Sequence, residues 1–279
     1  MIQLKKFQEG FTLIEVLIAI VISGVLMTAT LQFYISQHNN MLVQHDISDM
    51  QQNLRACVDE LSLNLRNAGS NLPSNMLSIE GSDGNPDSLT VRYSTIGGNV
   101  NVANQTQTIQ ASPIHVDINA DVSSFKTGMT VFLWHEGLQT GEWFTITNVA
   151  INIGSGWQEI HHLGQTLLFD PMPGDKIIVL EESTYFINSA DTATPLFMKI
   201  SNGGIPQIYA ENINDFQLKF TLSDGTIVDT VGITDTVLVI NVDLSAHTAS
   251  VDIELADRTA DGRRHRSLST DILIRNNRF

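Results

Sequence analysis

Residues 10–35 read Gly10-Phe11-Thr12-Leu13-Ile14-Glu15-Val16 and then LIAIVISGVLMTATLQFYI, ending at Ile35. From Phe11 onward this stretch carries one charged side chain, Glu15. At about 1.5 Å of rise per residue it reaches about 37 Å as a helix, more than the ~30 Å hydrocarbon layer of a bilayer. A buried helix of a soluble domain would show a polar stripe, whereas this run has only scattered Thr, Ser and Gln. Lys5 and Lys6 supply a positive flank that stays in the cytoplasm. An ordinary secretory signal places its small-residue cleavage site after an apolar region of about 7–15 residues. Here the apolar run is longer and the small residue, Gly10, precedes it. Cleavage after Gly10 would remove the charged leader, keep the helix and create an α-amine on Phe11.

Glu15 is costly where it stands. A carboxylate inside a membrane helix disfavours insertion by about 2.5–3.5 kcal/mol, which makes such a residue functional by default. The helix offers no Lys or Arg as partner. The amine created at Phe11, with a pKa of about 8, is cationic near neutral pH. Paired with that amine on a neighbouring chain, Glu15 would set the axial register between helices.

The motif Gly10–Val16, followed by an uninterrupted apolar helix, resembles the class III leader of type IV prepilins. The resemblance implies cleavage between Gly10 and Phe11, N-methylation of Phe11 by a membrane-embedded prepilin peptidase, and an assembly role for Glu15. It departs from many major pilins in having no proline between Phe11 and Ser36, which disfavours a bulk shaft subunit.

Beyond Ser36-Gln37-His38-Asn39-Asn40 the pattern changes. Val43, Ile47, Met50, Leu54, Cys57 or Val58, Leu61 and Leu65 recur at steps of three and four, the signature of one apolar helix face. Gly69 is the expected C-cap, and Pro73 forbids continuation. One helix is therefore expected from Phe11 to Asn67. Cys57, the single cysteine, falls within the stripe and reads as a buried hydrophobe; it excludes an internal disulfide.

Residues 70–88 read as a connecting loop, and strands dominate after it. Phe216, Leu218, Phe220 and Leu222 alternate with polar residues from Asp215 to Leu222, and Asp224-Gly225 follows as a hairpin turn. Thr236–Leu244, with Leu238, Ile240, Val242 and Leu244 on one side, and Ser267–Ile274, with Leu268, Thr270, Ile272 and Ile274 on one side, complete an antiparallel sheet. Glycine-punctuated strand signals at Met129–Trp134, Glu142–Val149, Trp157–His162 and Lys176–Glu181 mark a β-rich insert over residues 113–182. The expected fold is α+β: a long N-terminal α-helix, transmembrane then amphipathic, packed on an antiparallel β-sheet with an additional β-rich insert. Its organisation reads as a leader over 1–10, a transmembrane segment over 11–35, an amphipathic helix half over 36–67 and a head over 68–279.

Three body segments carry a second resemblance. Tyr185-Phe186-Ile187, Ala210–Leu218 and Arg266–Asn276, with Asn67-Ala68-Gly69 at the helix end, are similar to minor pilins of the PilW type. The layout is shared with J-type minor pseudopilins of type II secretion. The resemblance implies a low-copy subunit that helps initiate a type IV pilus at its tip. Its partners would be other minor pilins, the major pilin and the prepilin peptidase. It would sit in the inner membrane as a single-pass precursor and then in the pilus at the cell surface. The alternatives are a secretion pseudopilin and a tip adhesin whose insert binds a surface ligand. An exposed aromatic platform at Trp134, Trp143 or Trp157 would favour the adhesin.

No catalytic set is legible, and an enzyme is not expected. His135-Glu136 and His161-His162 lack a third ligand at useful spacing, so no metal or other cofactor is expected. Asp83-Gly84-Asn85-Pro86-Asp87 reads as an acidic turn, because Pro86 and the lack of a distal glutamate spoil it as a calcium loop. The chain has 15 Lys+Arg against 30 Asp+Glu, a net charge of -15. That acidity repels nucleic acid. It is concentrated in residues 68–257, with 22 acids and five bases, while residues 258–279 hold six arginines and two acids. The arginines read as partners of the acidic body or as a docking patch for an acidic face of another subunit.

Overall fold

The computed structural model describes residues 12–73, 76–94, 100–102, 113–152, 156–162, 164–232, 235–252, 255 and 259–275. Helix α1 spans Leu13–Asn67. With no proline in its 55 residues, nothing in the backbone interrupts it over about 80 Å. Thr12 is its N-cap. In the apolar half the Thr28 and Thr30 hydroxyls donate back to the carbonyls of Gly24 (2.9 Å) and Leu26 (2.8 Å). These polar groups are thus satisfied within the helix, as a lipid environment demands. The C-cap is Ala68 rather than the expected Gly69. Gly69 follows it with φ of 78°, and its N–H donates to the Arg92 carbonyl. Glycine adopts that conformation without a Cβ penalty.

The strands are β1 (Ile79–Ser82), β2 (Ser88–Ser94), β3 (Val100–Asn101), β4 (Ile114–Asp117), β5 (Thr130–His135), β6 (Thr140–Thr145), β7 (Asn148–Asn152) and β8 (Trp157–His161). After them come β9 (Lys176–Ile178), β10 (Leu180–Asn188), β11 (Leu196–Ser201), β12 (Gln207–Glu211), β13 (Ile213–Leu222), β14 (Ile227–Val228), β15 (Val237–His247) and β16 (His265–Leu273). The pairings between these strands are antiparallel. Two sheets, ordered β1-β2-β10-β11-β12 and β14-β13-β15-β16, receive the lower half of α1. Leu54, Cys57, Leu61 and Leu65 are buried there against Leu89, Tyr185, Phe197, Phe216, Phe220, Ile240 and Leu244. Each fully buried leucine contributes about 1.5–3 kcal/mol of transfer free energy.

The alternation from Asp215 to Leu222 is a strand, as its period requires: Phe216, Leu218 and Phe220 are buried and Leu222 half-buried. In β15 the expectation fails at one point. Leu238 is half-buried while Val237 is buried. Thr221 pairs with Val239 and Leu222 with Val237, so Leu238 is an extra residue that turns Val237 inward. The loop expected over residues 70–88 contains β1. Its local sequence is poor in strand formers; pairing with β2 creates it, Ile79 lying opposite Val91. Gly81 is required in it, because a Cβ there would lie 2.4 Å from the Phe220 ring.

Between β2 and β10 lie two further sheets, β3-β9-β5-β6 and β4-β8-β7. They enclose their own core of Val100, Ile114, Val116, Val131, Leu133, Phe144, Ile160 and Ile177. The single strand signal at Lys176–Glu181 is two strands: β9 belongs to this unit and β10 to the head. Likewise Glu142–Val149 spans β6 and β7, which lie in different sheets. A third cluster, Leu72, Met76, Trp134, Ile178 and Leu180, packs with Phe132 and Trp143 and ties the insert to the head.

Candidate functional site

Gly10 and Phe11 lie outside the described residues. Glu15 is described, one turn into α1. Its Oε2 accepts from the Thr12 backbone N–H and the Thr12 hydroxyl, both at 3.1 Å, and its own N–H donates to Thr12 Oγ1 at 3.3 Å. This reciprocal capping box satisfies two orphan donors and places a negative charge at the positive end of the helix dipole. The Thr12 partnership stands beside the pairing with a neighbour's amine expected for Glu15, and the Thr-x-x-Glu spacing is its signal in the sequence. Oε1 accepts no hydrogen bond among the described residues, so the capped carboxylate still presents one oxygen. Beside it Val16, Ala19, Ile20 and Ser23 form a shallow, mostly apolar groove on the exposed helix.

A second polar centre fixes α1 to the head. Glu60 Oε1 accepts from Lys199 Nζ (2.5 Å), the Tyr185 hydroxyl (2.9 Å) and Asn64 Nδ2 (3.0 Å). Asn64 in turn accepts from the Tyr93 hydroxyl at 3.2 Å. Burial pushes the Glu60 carboxyl up, but the Lys199 ammonium and the Tyr185 and Asn64 donors outweigh it and hold it below the usual carboxylate range. Cys57 lies one turn away with its thiol pushed up to about 12, first by burial and then by the Glu60 charge. A thiol so protonated is a poor nucleophile, which fits the packing role read for it. Glu60 was not singled out from sequence; its signal is its place beside the 57-61 stripe, one turn before Asn64.

In the insert, His135 is buried between two carboxylates. Its Nδ1 lies 2.8 Å from Asp175 Oδ2 and its Nε2 3.6 Å from Glu142 Oε1. Burial pulls the imidazole pKa down, but Asp175 and then Glu142 outweigh it and raise it above the ordinary histidine value. The same carboxylates hold the segment 168–175. Glu142 accepts the N–H groups of Leu168 and Phe169 (2.8 and 3.2 Å), and Asp175 accepts those of Met172 and Glu136 (2.8 and 3.2 Å). His162 faces elsewhere, its Nδ1 3.1 Å from the Gln165 carbonyl and its ring against Phe144, while His161 lies 3.4 Å from Glu159. The two histidine motifs do not converge.

Asp87 of the acidic turn is buried. Its carboxylate accepts the N–H groups of Gly84 (2.8 Å) and Leu218 (2.7 Å), which ties the turn to β13. Trp134 is buried, and Trp143 and Trp157 are half-buried, Trp157 stacked on His115 at 4.8 Å. None of the three is an exposed platform. Of the arginines in the tail, Arg264 pairs with Asp252 at 2.6 Å and Arg263 donates to the Ala193 and Thr248 carbonyls. Arg266 and Arg275 are exposed. Arg258 and Arg278 lie outside the described residues.

Residues 5–31 match the family model for the prokaryotic N-terminal methylation motif. No curated protein matches the chain at significance. Among solved structures a type IV-like pilin from Thermus thermophilus is similar at 9% identity and a TM-score of 0.41, over 82% of this chain and 98% of that one. The methylation motif thus stands at the head of an apolar helix that continues onto antiparallel sheets.

Proposed function

We propose that the chain is a minor pilin of the PilW type that takes part in initiating a type IV pilus as a low-copy subunit near the tip. The observation that carries this reading is the pairing of the methylation motif with the helix that follows. Leu13 to Ile35 is exposed on all sides in the isolated chain and mostly apolar, so it needs lipid first and neighbouring helices afterwards. The prepilin peptidase cuts between Gly10 and Phe11 and methylates Phe11. Residues 11–35 then anchor the chain in the inner membrane, and the open oxygen of Glu15 pairs with a neighbour's amine during assembly. The large head, 68–279 with its insert near 113–182, and its net charge of -17 over residues 68–257 support a scarce position over a repeated one. Identical acidic heads repel at short range even with a Debye length near 8 Å. The buried and half-buried tryptophans give the adhesin reading no support.

The test has two parts. N-terminal sequencing of membrane-extracted protein is expected to begin at a modified Phe11; a start at Met1 overturns the pilin reading. Labelling on intact filaments is expected to place the chain sparsely and near one end. Regular labelling along the shaft, in a ratio approaching the main subunit, overturns the minor-pilin reading.

A further inference from the structure

Strand β16 ends the sheet β14-β13-β15-β16. It pairs with β15 over nine consecutive residues, His265 opposite His247 through Leu273 opposite Val239, without a bulge. Two bonds beyond its ends fix the parity of that ladder. The Thr248 N–H donates to the Arg264 carbonyl (2.9 Å), and the Ile274 N–H donates to the Leu238 carbonyl (3.0 Å). In an antiparallel ladder, directly hydrogen-bonded pairs alternate with non-bonded ones. The even-numbered residues Arg266, Leu268, Thr270 and Ile272 therefore bond β15. The odd-numbered His265, Ser267, Ser269, Asp271 and Leu273 direct their N–H and C=O groups outward, where they meet no backbone partner among the described residues.

The other edges are short or covered. β1 has four residues and β14 two. β12 has five, an irregular ladder with β11, and two pins to the helix: Asn53 Nδ2 donates to the Glu211 carbonyl and the Tyr209 hydroxyl to the Ala56 carbonyl. In the insert, Gln165 caps the edge of β6 by bonding both the N–H and the C=O of Thr145 at 2.9 Å. β16 has neither the proline nor the lysine by which sheets often protect their edges, and its outward N–H and C=O groups have no backbone partner among the described residues.

Charge selects the occupant. Arg266 on the strand and Arg275 just beyond it are exposed and pair with no described residue, in a tail of six arginines against two acids. A second copy laid edge to edge would bring these cationic strands together. An acidic strand would meet Arg266 and Arg275 as opposite charges, with Asp271 the one carboxylate that β16 itself carries.

We propose that the outer edge of β16 is a strand-addition site for an extended, acidic segment of a different subunit in the assembled filament. The inference rests on the minor-pilin reading above. The added strand bonds the outward groups of Ser267, Ser269 and Asp271, and its carboxylates meet Arg266 and Arg275.

Hydrogen exchange of residues 265–273 tests this on the full chain, compared between dilute detergent solution and intact filaments. The outward amides of Ser267, Ser269 and Asp271 are expected to exchange at least about tenfold more slowly in filaments, a change of about one decade in opening equilibrium. The inward amides of Leu268 and Thr270 are expected to be protected in both. Ser269→Pro deletes one outward N–H at a position where an edge strand tolerates proline. It is expected to lower incorporation about tenfold while leaving Leu268 and Thr270 protected. Ser269→Ala is expected to incorporate normally, and Arg266→Glu to lower incorporation. Wild-type chain present in filaments with its outward amides unprotected overturns the proposal alone; so does normal incorporation of Ser269→Pro. Protection that grows with concentration in detergent makes a second copy the occupant and overturns the choice of partner. Absence of the wild-type chain from filaments overturns the minor-pilin reading itself, and this proposal with it.

Discussion

The two halves of α1 share one backbone and differ in what surrounds them. From Leu13 to Leu42 the large apolar side chains point outward all round: Leu13 is 83% exposed and Met27 77%. From Val43 to Asn67 the apolar residues narrow to a stripe, with Leu54, Cys57, Leu61 and Leu65 at 1% exposure or less. The first half carries its one carboxylate at the N-terminus, tied to its own cap. The second half holds Glu60 beside the buried stripe, where Lys199, Tyr185 and Asn64 satisfy it. The difference teaches that the first half packs on nothing among the described residues, whereas the second is completed by the head. Stability of the head should therefore respond to one half and be nearly blind to the other.

The sharpest break of this comparison is a pair of truncations. Leu61→Ala empties a fully buried site and is expected to cost about 3 kcal/mol of head stability. Leu26→Ala, at an exposed position, is expected to change it by less than about 0.5 kcal/mol. Urea unfolding in detergent, followed by tryptophan fluorescence, measures both. Equal losses would mean that the upper half packs on the head.

Glu60→Ala comes next. It leaves the Lys199 ammonium and the Tyr185 hydroxyl without their acceptor in a part-buried site and is expected to cost about 2 kcal/mol. Because the folded pKa of Glu60 is depressed, its contribution is present above the ordinary carboxylate range and disappears as pH falls through the lower folded value. The gap between wild type and variant should therefore close at acid pH. A gap constant down to pH 3 would show that Glu60 acts by packing alone.

These two sites also mark what the sequence discloses. Leu61 was legible because a helix repeats its apolar residues every three or four positions, and Phe216, Leu218 and Phe220 because a strand alternates. Both are local periodicities. Glu60 was not, since its partners Tyr185 and Lys199 are 125 and 139 residues away. β1 was missed for the same reason: pairing with β2, rather than its own sequence, makes it a strand. Val237 and Leu238 exchange roles through a bulge, which a period of two cannot anticipate. The split of Lys176–Glu181 between two sheets is likewise a tertiary event. At the candidate site, the Glu15 carboxylate stands out because charge is rare in an apolar helix, and the cap that engages it is readable in the Thr-x-x-Glu spacing.

A smaller effect is expected in the insert. His135 has a raised pKa in the folded state, so its stabilisation is complete below the ordinary histidine value of about 6.5 and is lost as pH rises through the higher folded value. Above that value the imidazolium between Asp175 and Glu142 is gone. Glu136, paired with Lys176 at 2.8 Å, and Asp170 add further negative charge nearby. The amides of Leu168, Phe169 and Met172 should exchange faster at pH 9 than at pH 6, after correction for intrinsic rates. The difference is expected to be about fivefold in exchange rate. His135→Gln is expected to flatten this dependence, whereas the region around Glu60 should show none of it. A wild-type loop with equal protection at both pH values would remove the imidazolium from the account.

The smallest effect on the chain itself, and the most informative about assembly, concerns Thr12 and Glu15. Thr12→Val removes the hydroxyl that accepts the Glu15 N–H and donates to its carboxylate. It is expected to weaken the cap by about 1 kcal/mol and to speed exchange at Glu15 and Val16 about fivefold, with no change in the head. It leaves the Glu15 carboxylate in place, so filament numbers are expected to stay within about twofold of wild type. Glu15→Val keeps the bond from the backbone N–H of residue 15 to the Thr12 hydroxyl but loses the carboxylate half of the cap and the charge. It should show no more local fraying than Thr12→Val, insert into the membrane at least as well, and reduce filament numbers sharply. The two variants therefore separate a carboxylate that finishes its own helix from one that finds a neighbour's amine. N-methylation of Phe11 has to be measured in both, because processing and assembly can fail independently. If Thr12→Val and Glu15→Val depress filament numbers equally with processing intact, Glu15 acts as a cap alone. If only Glu15→Val does so, its free oxygen is the part that the neighbouring chain reads.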